Sequence, residues 1–190
     1  MLGDELGPLE GLVGSWEGKD GHDVSYANKF DKILETQYRE SVTFDAFGPV
    51  DNGRQVLYGL DYRMAAWRDG QAEPFHTEVG YWLWDSAAGQ VMRCFMVPRA
   101  VVVLAGGRAD AADRVLHMEA DVGSSTYGIL SNQYLSTAAR TIRYEVSVNV
   151  GGDTFSYDET TTIEHAHLDK ILMHTDRNTL HRIDDMTEPR

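Results

Sequence analysis

The chain has one cysteine, Cys94, among its 190 residues. One thiol cannot close an intrachain disulfide, and it excludes a four-thiolate zinc site and a cysteine-held iron–sulfur cluster. It sits in the apolar run Val91-Met92-Arg93-Cys94-Phe95-Met96-Val97, which predicts a buried strand thiol. Long apolar runs are also missing. The longest, residues 100–105, falls far short of the roughly 20 residues a membrane-spanning helix needs. Positive charge is scarce: 17 Lys+Arg face 30 Asp+Glu, a net charge of −13. That balance argues against nucleic acid and anionic membrane surfaces as partners, because both are polyanions. The start, Met1-Leu2-Gly3-Asp4-Glu5-Leu6, lacks the basic region and apolar core of a signal peptide, so a cytoplasmic location is expected. No Gly-x-Ser-x-Gly elbow, dinucleotide fingerprint or phosphate loop is present, and local motifs yield no enzyme class. The acidic pair Asp184-Asp185 is expected to be solvated.

What the chain does have is a period of two. From 56 to 64 the even positions read Val56, Tyr58, Leu60, Tyr62, Met64 against a more polar odd set. Residues 141–149 repeat this with Ile142, Tyr144, Val146 and Val148, and Thr160-Thr161-Thr162-Ile163 is strongly β-prone. Turn signals at Gly48-Pro49-Val50-Asp51-Asn52-Gly53, Arg68-Asp69-Gly70, Ala87-Ala88-Gly89, Gly106-Gly107 and Gly151-Gly152-Asp153 separate the runs. Roughly ten short strands are expected, as a closed antiparallel barrel or a sandwich. Helix is confined to a short segment after Asp4. Residues 124–139 fit either a helical turn or a further strand carrying Tyr127, Ile129 and Tyr134. Hydrophobic residues make up 42% and aromatics 10%, a globular composition, and the length predicts one domain over 1–190.

Three constellations stand out. Gly14-Ser15-Trp16-Glu17-Gly18 opens the first strand, where a tryptophan between glycines can plug a barrel end. His76 and Glu78 fall on one strand face, either as a ligand-binding pair or as a plain cross-strand polar cluster. His165 and His167 share a strand face, a spacing compatible with a two-histidine metal site or with solvated strand-end side chains. Inward positions rich in Tyr, Trp, Met and Phe suit a small hydrophobic or planar ligand, or else a filled core. Trp67, Trp82 and Trp84 give enough large aromatics for an association patch, hence a possible homodimer, if any of them faces outward.

Taken together, these motifs resemble the nitrobindin-like, fatty-acid-binding-protein-like family. Gly14-Ser15-Trp16-Glu17-Gly18 is similar to its Gly-x-Trp-x-Gly-x-Gly signature, with Asp20 at the third glycine and Gly21 one step late. His76-Thr77-Glu78-Val79-Gly80-Tyr81 is similar to its His-x-Glu-x-Gly-Tyr strand, and Asn178-Thr179-Leu180-His181-Arg182-Ile183 to its final strand. The resemblance implies an all-β, ten-stranded antiparallel β-barrel of lipocalin/fatty-acid-binding-protein type with a short N-terminal helix. It also implies heme b held by one histidine of the last strand, reaction with nitric oxide and isomerisation of peroxynitrite; a heme-free carrier of a lipid-like metabolite is the alternative. The family's axial histidine falls on Thr175, with His174 beside it. A β-bulge would bring His174 inward; without one, Thr175 points into the barrel. The expected cofactor-contacting set is His174, Thr175, His76, Trp16, Gly14 and Gly18, with His174 as the metal ligand.

Overall fold

The computed structural model describes residues 3–183. Asp184-Asp185 lies outside the described residues. Eleven strands form: β1 (Gly14–Ala27), β2 (Lys32–Asp51), β3 (Val56–Arg68), β4 (His76–Asp85), β5 (Gln90–Val97), β6 (Val101–Arg108), β7 (Val115–Val122), β8 (Gly128–Ser131), β9 (Ala139–Val150), β10 (Thr154–His165) and β11 (Lys170–Ile183). They close into a barrel in the order β1-β11-β10-β9-β7-β8-β6-β5-β4-β3-β2. All neighbours run antiparallel except β7 and β8, which run parallel. Closure leaves no long strand edge exposed.

The period of two decides which side chains enter. On β3, Leu60, Tyr62, Met64 and Ala66 are buried; on β9, Tyr144, Val146, Val148 and Val150 are. The chain forms one strand more than the ten expected. Strands β6 and β7 share a single paired position, Gly106 with Glu119, and the four-residue β8 fills the gap between them. The ambiguous stretch 124–139 holds both alternatives: β8 with buried Ile129, and one helical turn, α1 (Leu135–Ala138).

One barrel end is plugged. A 3-10 segment, Asp4–Leu12, kinks at Gly7 (φ 53°) and places Leu6, Leu9 and Leu12 at 1% exposure or less. Burying each such leucine contributes about 1.5–3 kcal/mol. Trp16 completes the plug. It is fully buried, donates from Nε1 to Leu12 O at 2.7 Å, and meets Phe155 edge-on at 5.1 Å. Arg182 stacks on it at 4.2 Å and donates to Gly11 O at 2.9 Å, tying β11 to the plug.

One further expectation narrows and another is corrected. Trp82 and Trp84 face inward at 3% exposure and cannot join a surface patch, which leaves Trp67, half-buried on the outward side of β3 under the Arg39 guanidinium at 4.2 Å. Cys94 is half-buried on the outer side of β5. The inward side of that strand carries Val91, Arg93 and Phe95.

Candidate functional site

Above the plug the barrel interior turns polar. Arg93, 6% exposed, is the centre of a hydrogen-bonded network. It donates from Nη2 to Glu78 Oε2 (2.6 Å) and Tyr62 Oη (3.0 Å), and from Nη1 to Glu159 Oε2 (2.9 Å) and to Tyr144. Tyr62 donates to Glu78 (2.7 Å), and Tyr144 donates to Glu159 (2.7 Å). His76 Nε2 lies 3.1 Å from Glu78 Oε1. Burial alone would raise the Glu78 carboxyl, but the Arg93 charge, then His76 and Tyr62, hold it down at about 2. Burial is the largest influence on His76 and works against its protonation, but the bond to Glu78 together with the Glu78 and Glu159 charges outweighs it, so His76 titrates above its ordinary range.

A second network lies on the β1, β2, β10 and β11 side. The Tyr38 hydroxyl is 2.7 Å from that of Tyr157 and 2.5 Å from Asp176 Oδ1. Tyr157 donates to Glu40 Oε2 (2.9 Å), as does Asn178 Nδ2 (2.8 Å). Two glycines of the opening motif make room for it. A Cβ on Gly18 would sit 2.6 Å from Asn178 Nδ2, and one on Gly21 would sit 2.3 Å from the Tyr38 ring. An extra residue in β1 sets this spacing. Gly18 pairs with Glu40 but Gly21 with Tyr38, so β1 advances three residues while β2 advances two. The late glycine of the motif therefore marks a β-bulge at Lys19-Asp20. Burial pushes the Glu40 carboxyl up to about 7 against the Asn178 and Tyr157 bonds. Burial, then the Glu159 charge, pushes Asp176 up to about 9.

His76, Glu78, Tyr144 and Glu159 of the first network and Asp176 of the second form the polar wall of a cavity of about 550 Å³, within the range of small-molecule sites. Its apolar wall includes Phe75, Phe95, Val97, Val101, Val103 and Ile163, and the exposed Arg68 and Arg99 also line it. His76, Glu78, Glu159 and Asp176 line both this cavity and a deeper chamber of about 30 Å³. On β11, His174 and Asp176 face the cavity. His174 Nε2 is 2.5 Å from Oδ2 of the buried Asp23, whose Oδ1 accepts from Ser25 at 2.8 Å. Among the described residues no hydrogen bond reaches His174 Nδ1.

The expected set therefore divides. His174 and His76 line the cavity. Thr175 does not, and its expected inward placement is corrected: it pairs with Val24 and Thr160 between two inward neighbours. The reason is parity. Strand β11 runs in unbroken register with β10, so the face carrying buried Leu180 and Asn178 also carries Asp176 and His174. The bulge lies in β1, and β11 needs none. Trp16, Gly14 and Gly18 are also corrected, since none lines the cavity. Trp16 belongs to the plug, Gly14 adopts φ 118° at the start of β1, and Gly18 clears Asn178.

Sequence reasoning missed Asp23, Arg93, Glu159 and Asp176. A signal existed for Arg93, which shares its face with Val91 and Phe95 in an apolar run, so a cation had to be buried and paired. Asp176 shares the parity of Asn178 and Leu180. Nothing local marks Asp23 as the partner of a side chain 151 residues away.

No curated protein matches the sequence. Among solved structures, the fold is similar to the crystal structure of Rv2717c from M. tuberculosis. The TM-score is 0.66 at 21% identity, over 93% of this chain and 95% of that one. The model of the THAP4-like, heme-binding beta-barrel domain matches residues 5–182. The chain belongs to the THAP4-like heme-binding β-barrel domain family.

Proposed function

We propose that the barrel binds heme b in its main cavity, with His174 as the axial ligand. The observation that carries this reading is the state of the His174 ring. It stands on the cavity wall with one nitrogen held by a buried carboxylate and the other free. Metal-ligating histidines are commonly oriented in this way, the second nitrogen being fixed by a carboxylate. The rest of the wall fits a flat ligand with acidic substituents. Phe75, Val97, Val101 and Ile163 offer apolar surface, and Arg68 and Arg99 offer cations for carboxylates. Arg68 is steadied by stacking on Phe75 at 4.2 Å. Heme iron, when bound, supplies a centre that takes up small diatomic ligands. His174 supplies the nitrogen, Asp23 sets the ring orientation, and the apolar wall excludes water.

Titration of the purified protein with hemin tests the reading. A saturable Soret shift is expected, at least tenfold weaker in His174→Ala. An absent shift, or one unchanged in that variant, removes His174 from the site. Asp23→Asn separates two uses of the ring. Ligation through Nδ1 keeps the Asp23 contact, so the variant binds hemin more weakly. Ligation through Nε2 breaks that contact, so the variant binds more tightly. Native mass spectrometry of the protein as purified identifies a different retained ligand if the cavity serves a heme-free carrier.

A further inference from the structure

The histidine pair His165 and His167 lies outside the cavity. His165 ends β10 at 5% exposure, and His167 is exposed in the 3-10 turn Ala166–Leu168 that leads to β11. On a straight strand, residues two apart would hold their rings side by side. Here the turn, completed by Asp169 in the left-handed region (φ 49°), folds His167 back over His165. The two Nδ1 atoms come within 3.0 Å, and the ring centres lie 4.4 Å apart with planes at 83°. Tyr26 packs edge-on against His165 at 5.1 Å and holds that ring in place.

Two descriptions compete for this contact. In a straight N–H···N hydrogen bond, with each nitrogen about 1.15 Å from its ring centre, a 3.0 Å contact puts the centres about 5.3 Å apart. If both nitrogens instead aim at one ion about 2.05 Å away, the same contact gives an N–metal–N angle of about 94° and centres about 4.7 Å apart. The observed 4.4 Å, with the rings edge to face, is shorter than both and lies nearer the second value. An angle near 94° is the cis angle of tetragonal copper(II) or nickel(II). Tetrahedral zinc would spread the nitrogens to about 3.3 Å.

We propose that His165 and His167 chelate one copper(II) or nickel(II) ion through their Nδ1 atoms at the β10–β11 turn. Among the described residues no group of three or more His, Cys, Asp or Glu side chains gathers around a common point, so water fills the remaining positions and the ion exchanges readily. His167 gives access from solvent. The adjoining groove carries Glu164 and Asp169 with Arg140 and Lys170, so formal charge there balances and does not repel a dication. This groove shares no lining residue with the main cavity, and the proposal is independent of heme.

The test is calorimetric titration of the full heme-free chain with copper(II), nickel(II) and zinc(II) in a non-coordinating buffer, with electron paramagnetic resonance of the copper form. One copper per chain is expected, with a tetragonal spectrum showing two nitrogen couplings, and with weaker nickel and zinc binding. His167→Ala changes an exposed side chain and leaves the fold intact by circular dichroism. It is expected to weaken copper at least tenfold, whereas His117→Ala on β7 leaves it unchanged. Four results each overturn the assignment: zinc binding as tight as copper, copper binding that survives His167→Ala, equal loss in His117→Ala, or no stoichiometric ion. The last would leave the pair as a hydrogen bond between two neutral rings.

Discussion

Replacing Arg93 by methionine tests the electrostatic account of the barrel interior most directly. The guanidinium is 6% exposed and neutralises two carboxylates, Glu78 at 2.6 Å and Glu159 at 2.9 Å. Methionine keeps apolar length but leaves both acids without their cation. For Glu78, the fall from an ordinary 4.5 to about 2 corresponds to about 3 kcal/mol at 1.36 kcal/mol per pH unit. This stabilisation is present above pH 4.5 and disappears as pH falls through 2. Once Arg93 is gone, burial dominates and Glu78 titrates above its ordinary range. Folding near neutrality then requires proton uptake. The expected loss at pH 7 is about 3–5 kcal/mol, the cost of breaking a buried ion pair from one side. For a chain of this length that is a fall in Tm of about 6–20 °C. Urea unfolding at several pH values is the assay. The deficit of Arg93→Met should shrink between pH 8 and pH 5, and adding Glu78→Gln should recover part of it at pH 7. A loss below about 1 kcal/mol, or a double variant no more stable than Arg93→Met, would refute the reasoning.

Two further expectations concern the other network. Glu40, 4% exposed and held up to about 7, keeps its proton between pH 4.5 and 7 while the unfolded chain releases it. Wild-type stability should therefore fall over that window, and Glu40→Gln should gain on wild type by up to about 3 kcal/mol from pH 4.5 to 7; parallel urea-stability curves would contradict this. Gly21→Ala places a methyl 2.3 Å from the ring of Tyr38, which is 1% exposed and cannot yield. Overpacking of about 1–3 kcal/mol is expected in denaturant unfolding, and a change under 0.5 kcal/mol would mean the ring has room.

The barrel and the family were legible in the chain because strand alternation is local. Leu60-Asp61-Tyr62-Arg63-Met64 states its two faces without reference to any other segment, and Gly53, Gly70, Gly89 and Gly151-Gly152 mark where runs end, whereas Gly48-Pro49 and Gly106-Gly107, read as turns, lie inside β2 and β6. The interior chemistry was legible only in part. His76 and Glu78 lie two residues apart on one strand, so their contact follows from the pleat. Trp16 was readable as a plug for a similar reason, since its acceptor Leu12 is four residues away. The extra strand was readable only as one alternative for residues 124–139, because β8 forms only where β6 and β7 diverge.

By itself, then, the sequence determined the alternating strands, the plug at one end and an inward face rich in tyrosine and other large side chains. Which acids meet which cation was decided by closure of the barrel. Closure sets β1 against β11 and brings Asp23 to His174 across 151 residues, and it places Arg93 between Glu78 and Glu159 from β4 and β10. The tertiary structure also settled the choice between His174 and Thr175, because facing direction depends on register. Register is a relation between strands, fixed here by the unbroken β10–β11 ladder and by the extra residue in β1.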